Sequence, residues 1–307
     1  MKKKLLFFII IVLIAYILFS PVMATEAASL GLILWFERIL PALLPFAILS
    51  NVLIYSNTLS YITKILSPVI RLFLPVSEEG SFVVISGFLF GFPMGSKNCA
   101  ELLRLEKISS KEAEVLFIIT NNISPVFISS YILGKELVRP ELFVFSLLIL
   151  YLPALFLGEC MLFRNRNEIP LQKKSASRSK MNFQIIDAGI MNGFETLTRI
   201  GGYIILFSIL TSMLKQLPLP ELLKTILIGM TEITNGIHYL ASTPLSIKSQ
   251  YVLAMAFTAF GGISGMAQTS SMVKDTKLSM KKYICFKFLL AFLSAGLAFI
   301  LTLFWQI

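Results

Sequence analysis

Two apolar runs, Glu141 to Phe163 and Tyr283 to Trp305, set what this chain can fold into. A helix needs about 20 predominantly apolar residues to cross a bilayer, and each run is long enough. A shorter one, Leu5 to Phe19, and several interrupted apolar stretches fill much of the rest. Of the 307 residues, 56% are hydrophobic and only 14% charged, with a mean hydropathy of +0.81. A soluble domain keeps more charge on its surface. The chain therefore reads as an all-α polytopic membrane protein with roughly eight to ten membrane segments.

The net charge of +10 fits Lys and Arg holding loops on the cytoplasmic side. It is not a nucleic-acid footprint, and the bilayer is the expected partner. Cys99, Cys160 and Cys285 show no paired metal spacing, and His238 is the single histidine. Neither a metal nor another cofactor is expected. The chain has no HExxH and no nucleophile–base pair, so no catalytic residue is assigned and an enzyme is not expected.

Charged and broken stretches divide the chain. Met1 to Lys4 is basic and precedes the apolar Leu5 to Phe19, so residues 1–27 read as a signal anchor or a signal peptide. Val22-Met23-Ala24 would supply the small residues that a peptidase needs. Residues 28–163 form a first repeat. Within it, Ala28 to Tyr55 is apolar but carries Glu37-Arg38, Pro41 and Pro45, as in an interfacial or partly re-entrant helix leading into a span. Ser60 to Val76 fits a surface-lying or half-inserted helix. Residues 164–185, with Arg164, Arg166, Lys173, Lys174, Arg178 and Lys180 against the acid Glu168, form a basic cytoplasmic linker. Residues 186–307 form a second repeat, opening with a less apolar helix, Ile186 to Arg199, and a spanning run, Ile200 to Leu214.

Four polar breaks interrupt the apolar context. The first is Gly91-Phe92-Pro93-Met94-Gly95-Ser96-Lys97, where two glycines and a proline stop a helix. The second is Asn121-Asn122-Ile123-Ser124-Pro125. The third is Gly229 to Gly236 and holds the acid Glu232. The fourth is Gly261 to Thr269. Freed backbone inside a bilayer must be buried in protein or line a wet cavity.

Each half has two breaks, thirty positions apart from Gly91 to Asn121 and thirty-two from Gly229 to Gly261, and each closes with one full span. The linker after 141–163 is basic, so that span runs from outside to inside. Lys274, Lys277, Lys281 and Lys282 precede 283–305, so that span runs from inside to outside. Lys135 and Arg139, on the outer side in this arrangement, run against the charge rule. The expectation is two inverted-topology repeats with discontinuous, re-entrant helices, an arrangement found in secondary transporters.

At Gly91 to Lys97 and Asn121 to Pro125 the sequence resembles the YlbJ family of sporulation integral membrane proteins. The likeness continues at Thr231-Glu232-Ile233-Thr234-Asn235-Gly236, at Phe260-Gly261-Gly262-Ile263-Ser264 and at Ala267-Gln268. The resemblance implies a nucleoside-recognition gate domain, similar in architecture to concentrative nucleoside transporters. It also implies a role in endospore formation, where a family member is taken to move dipicolinic acid. The expected location is then the cell membrane, as a multi-pass protein, with the mother-cell or outer forespore membrane as the specific place.

Candidate substrate-binding residues follow from the breaks: Gly91, Phe92, Pro93, Gly95, Ser96 and Lys97 in the first, and Asn121, Asn122 and Ser124 in the second. Thr231, Glu232, Thr234 and Asn235 come from the third, and Gly261, Gly262, Ser264 and Gln268 from the fourth. For a small aromatic dicarboxylate, Lys97 would supply charge, helix N-termini would supply donors, and Phe92 or Phe127 a flat wall. Lys97 could instead pair with Glu101 four residues on. The Asn and Ser side chains could simply satisfy their neighbours' backbone. A carboxylate within a membrane segment marks function by default, so Glu232 is read as a carrier of a coupling proton or cation such as sodium, or as a substrate ligand. Its alternative is an interfacial position paired with Lys248 or His238. The leading reading is a secondary transporter of a small organic anion or a nucleoside-like solute, with a homo-oligomer left open. The other is a non-transporting sporulation membrane protein or scaffold.

Overall fold

The computed structural model describes residues 2–56, 58–164 and 182–304, and within them every regular element is helical. Most of the basic linker expected at 164–185 lies outside the described residues. Five described helical stretches are long and apolar enough to cross a membrane: Pro21–Tyr55, Pro140–Phe163, Phe183–Lys215, Ile247–Met272 and Met280–Phe304. The protein is an integral membrane protein.

Helix α1 (Lys2–Phe19) ends at Ser20, and α2 (Pro21–Leu34) starts with proline in its first turn, where no backbone donor is missed. A π-helical segment, Trp35–Ile39, carries the exposed Glu37 and Arg38 and leads into α3 (Leu40–Tyr55). The stretch Pro21–Tyr55 is thus one long arm. Helix α4 (Leu59–Ile70) buries Leu59, Thr63 and Ser67 while exposing Tyr61, Ile65 and Val69. Its buried side carries Thr63 and Ser67, and its outward side is apolar apart from the exposed Lys64.

Two helix pairs follow, one in each half. Helix α5 (Glu78–Phe90) turns at Gly91–Pro93 into α6 (Met94–Arg104). Helix α11 (Glu221–Thr231) turns at Glu232 into α12 (Ile233–Ala241). Both pairs fold back as hairpins, and in each two glycines meet where the arms cross. A Cβ on Gly95 would lie 3.0 Å from the Gly87 Cα, and one on Gly236 only 2.3 Å from the Gly229 Cα.

The other two breaks sit inside helices that do not fold back. Helix α7 (Ser110–Ile119) gives way at 120–124 to the short α8 (Pro125–Phe127) and a π-helical segment, Ile128–Glu136. Helix α13 (Ile247–Phe260) passes through Gly261 into α14 (Gly262–Met272). Gly261 holds φ 80°, a left-handed conformation that caps α13 and is open to glycine at little cost. Helices α9 (Phe143–Arg164) and α15 (Met280–Phe304) close the halves.

One expectation is corrected. The segments 186–199 and 200–214 are not separate helices but one 33-residue helix, α10 (Phe183–Lys215), capped by Asn182 and beginning within the stretch read as linker. Gly189, Gly193 and Gly201 let it lie close against the arm of the first half, where they approach Val52, Ile48 and Trp35 respectively. Further along, Gly31 meets Ser208 and the Tyr16 hydroxyl meets Ser212. Numbers rise along α10 as they fall along the arm, so the two run antiparallel.

The closing helices run antiparallel as well. Ser294 donates to the Ile149 carbonyl at 3.1 Å, which joins their middles. At one end, Gly158 of α9 lies on Ile119 while the neighbouring Phe117 packs on Tyr283 at the start of α15. At the other end, Ser146 of α9 bonds Tyr251 of α13, and Lys248 of α13 donates to the Thr302 carbonyl near the end of α15.

Candidate functional site

In each half the hairpin tip rests on the break of the discontinuous helix. In the first half, the Phe92 N–H donates to the Asn122 carbonyl at 2.8 Å and the Ser96 N–H to Asn121 Oδ1 at 2.9 Å. Gly91, at φ 80°, faces Ser124, and the Phe92–Pro93 peptide is cis. In the second half, a Cβ on Gly262 would stand 3.3 Å from the Ile233 nitrogen and 3.5 Å from the Glu232 Cα. All four breaks thus converge in two matched pairs.

The pairs are also crossed. Helix α6 of the first hairpin packs beside α14 of the second half: the Phe92 ring covers Gly265, and Arg104 donates to the Met272 carbonyl at 3.1 Å. Helix α12 of the second hairpin packs beside the segment 128–136 of the first half. There Tyr131 donates to the Thr234 carbonyl at 3.0 Å, and His238 Nδ1 meets Glu136 at 3.0 Å. Each hairpin therefore touches the break of its own half and the continuation of the broken helix in the other.

Most of the polar side chains at the breaks hold backbone. Asn121 accepts from Ser96 and donates to the Phe117 carbonyl at 2.9 Å, and Asn122 donates to the Ile119 carbonyl at 2.8 Å. Ser96 donates to the Pro93 carbonyl, Ser124 caps α8, and Thr231 donates to the Leu227 carbonyl. Gln268 donates to Ser264 at 3.2 Å within α14. The broken chain needs these bonds because a membrane interior offers no water to replace them.

Glu232 is 3% exposed and forms the tip of the second hairpin. Its carboxylate accepts from the Asn235 N–H at 2.7 Å and the Asn235 amide at 2.9 Å, capping α12. The same amide reaches Ser208 on α10 at 3.2 Å. The pairing with Lys248 or His238 is not made: Lys248 is on Thr302, and His238 is on Glu136.

Lys97 lies one turn into α6 and is 5% exposed, and its Nζ has no hydrogen-bond partner. The alternative pair with Glu101 is not formed as a hydrogen bond or ion pair: Glu101 takes Arg104 at 3.1 Å and the Tyr55 hydroxyl instead, while its charge still acts on Lys97 from further off. Met94, Lys97, Asn98 and Glu101 share one helical face. That face turns to the long arms: Met94 packs with Ala47, Leu197 and Ile200, and Asn98 donates to Ser50 at 3.5 Å. Phe90 packs against the same cluster and stacks on the exposed Phe46 with centroids 3.7 Å apart. Of the two aromatic walls foreseen, Phe92 is half-buried with its ring over Gly265, and Phe127 packs on Tyr131.

Sequence reasoning missed Lys287. It is 1% exposed on α15, and its Nζ donates to Asn122 Oδ1 at 3.4 Å and to the Ala259 carbonyl at 3.2 Å. It thereby touches the breaks of both discontinuous helices. The signal was present: a lone charge between Phe286 and Phe288, inside an otherwise apolar span. Tyr151 of α9 was missed as well; it donates to the Ile123 carbonyl at 2.6 Å in the first break.

Comparison with known proteins agrees with the resemblance carried by the break motifs. Residues 36–140 match the family model described as Gate: Nucleoside recognition. That match takes in the first hairpin and the first discontinuous helix. The chain is 27% identical to the sporulation integral membrane protein YlbJ of Bacillus subtilis (strain 168), over 88% of this chain and 76% of that protein. No solved structure matches the chain.

Proposed function

We propose that this membrane protein is a secondary transporter that carries a small organic anion between two inverted gate-like repeats, 28–163 and 186–307. Each repeat has a long arm, a hairpin, a discontinuous helix and a closing helix in that order, with α4 inserted between arm and hairpin in the first alone. The arms run antiparallel to each other, and so do the closing helices, as two copies with opposite membrane orientation require. In this reading the hairpins α5–α6 and α11–α12 are re-entrant, entering and leaving the bilayer from one side.

The observation that carries the anion is Lys97. An ammonium withdrawn from water with no hydrogen-bond partner, and with only the more distant charges of Glu101 and Glu195 acting on it, costs several kcal/mol. It is retained where something negative comes to it. The seam between α6 and the long arms is where a solute would meet this charge, with Phe46 and Phe90 as a flat apolar surface. Dipicolinate, an aromatic dicarboxylate, has the matching chemistry, and the similarity to a sporulation membrane protein suggests the mother-cell or outer forespore membrane as the setting. The match to a model described as nucleoside recognition supports a second solute class, nucleoside-like molecules.

The test is uptake of labelled dipicolinate into proteoliposomes holding the purified chain. Saturable uptake that Lys97→Ala abolishes and Lys97→Arg partly keeps would support the proposal. Uptake of nucleosides in preference would move the reading to the second class. Entry of neither solute would leave a non-transporting sporulation membrane protein.

A further inference from the structure

Lys287 differs from Lys97 in one respect that decides its role: its Nζ has two hydrogen-bond acceptors, and the Tyr283 ring lies beside it at 5.8 Å. Both acceptors are neutral oxygens supplied by helix breaks. Ala259 lies in the last turn of α13, where carbonyls have no partner further along the helix. That end carries the negative pole of the helix dipole. Asn122 lies just beyond the end of α7, and its amide nitrogen is held on the Ile119 carbonyl. The amide orientation is therefore fixed, with Oδ1 aimed at Lys287. No carboxylate among the described residues forms an ion pair with this lysine.

A cation held by carbonyl-type oxygens at the ends of two interrupted helices has the chemistry of an alkali-metal site. Unwound carbonyls and half-helix C-termini are the groups that coordinate sodium in transporters with discontinuous helices. We propose that the Lys287 ammonium is a resident cation, occupying as part of the chain the position between the two breaks that a coupling sodium ion would otherwise take. Lys287 is thus a positioning residue. It holds Asn122 and the end of α13 together in every state of the cycle, with no ion entering or leaving there. The consequence for transport rests on the carrier reading above: solute movement does not depend on sodium at this site.

The experiment compares the full-length wild type with Lys287→Ala and Lys287→Met. It measures thermal unfolding in sodium chloride and in choline chloride at equal ionic strength, and binding of radioactive sodium. The wild type should show the same Tm in both salts and no saturable sodium binding beyond any that Glu232→Gln removes. Lys287→Ala, which leaves space between the oxygens, should melt several degrees lower in choline and recover in sodium or methylammonium, since a ligand that binds only the folded state raises its stability. Lys287→Met fills the space without charge and should gain nothing from either cation. Saturable sodium binding to the wild type that Glu232→Gln leaves intact overturns the proposal, as does a Lys287→Ala protein indifferent to every small cation. Should Lys287→Ala not fold in any salt, the wild-type binding measurement decides alone. In proteoliposomes, the effect of a sodium gradient on uptake should be the same for the wild type and Lys287→Met, since no ion enters or leaves at this position. A wild type that transports nothing would count against the carrier reading and leave the binding result standing.

Discussion

The Lys287 ammonium and the Asn122 side-chain oxygen stand 3.4 Å apart, joined across 165 positions of sequence. One belongs to the last helix of the second half and the other to the broken helix of the first. The contact joins the halves where both backbones are interrupted. Asn122→Ala and Lys287→Met should each lower the Tm, and the double variant should lose less than the sum. A coupling of about 1 kcal/mol is expected, within what buried polar pairs in membrane proteins show. Strict additivity in that double-mutant cycle would mean that the pair holds nothing together.

The two glycines of the second hairpin make a sharper steric prediction. Gly236→Ala places a methyl 2.3 Å from the Gly229 Cα, where backbone would have to move. A loss of about 2 kcal/mol is expected from such overpacking. Gly202 is the control, with nothing within 4 Å of the added Cβ. Gly202→Ala should be neutral or stabilise α10 by up to about 1 kcal/mol through helix propensity. Equal Tm values for the two variants would argue against the folded-back geometry of α11 and α12.

These positions also show how far the sequence could be read. Glycine, proline and asparagine announced all four breaks, because each residue type interrupts a helix by its own chemistry. The kind of break was not announced. Whether a helix folds back or continues depends on which surface the second piece meets, as at Gly87 against Gly95. The unity of α10 was hidden by Asp187, Glu195 and Arg199, which look like a boundary but lie exposed along one helix, with Glu195 and Arg199 paired. The residues chosen as donors for a solute proved to be engaged with backbone at Asn121 and Ser96. The choice of Lys97 rested on its nearness to the first break; its lack of a partner could only be seen once Glu101 was found with Tyr55 and Arg104.

Glu232 separates capping from transport. Glu232→Ala removes the acceptor for two bonds from Asn235 and should cost about 1 kcal/mol, as the loss of an N-cap does. Glu232→Gln keeps an oxygen acceptor and should recover most of the Tm. If the carboxylate carries the coupling proton, Glu232→Gln should still fail in proton-driven uptake while retaining solute exchange. Full recovery of driven uptake by the amide would reduce Glu232 to a cap.

The proposed inverted arrangement predicts opposite sides for two matched positions. Lys135 precedes the closing helix of the first half, and Lys277 precedes that of the second; both are exposed. The charge rule puts the start of α15 in the cytoplasm, and the antiparallel packing of α9 then puts Lys135 outside. The native thiols permit a clean measurement: Cys160 and Cys285 are exposed and can be replaced by serine, while Cys99 is buried and can stay. In that background, Lys135→Cys should react with a membrane-impermeant maleimide in intact cells. Lys277→Cys should react only after the membrane is opened. Labelling of both from the same side would contradict the inverted orientation of α9 and α15, and with it the carrier architecture built on their antiparallel packing.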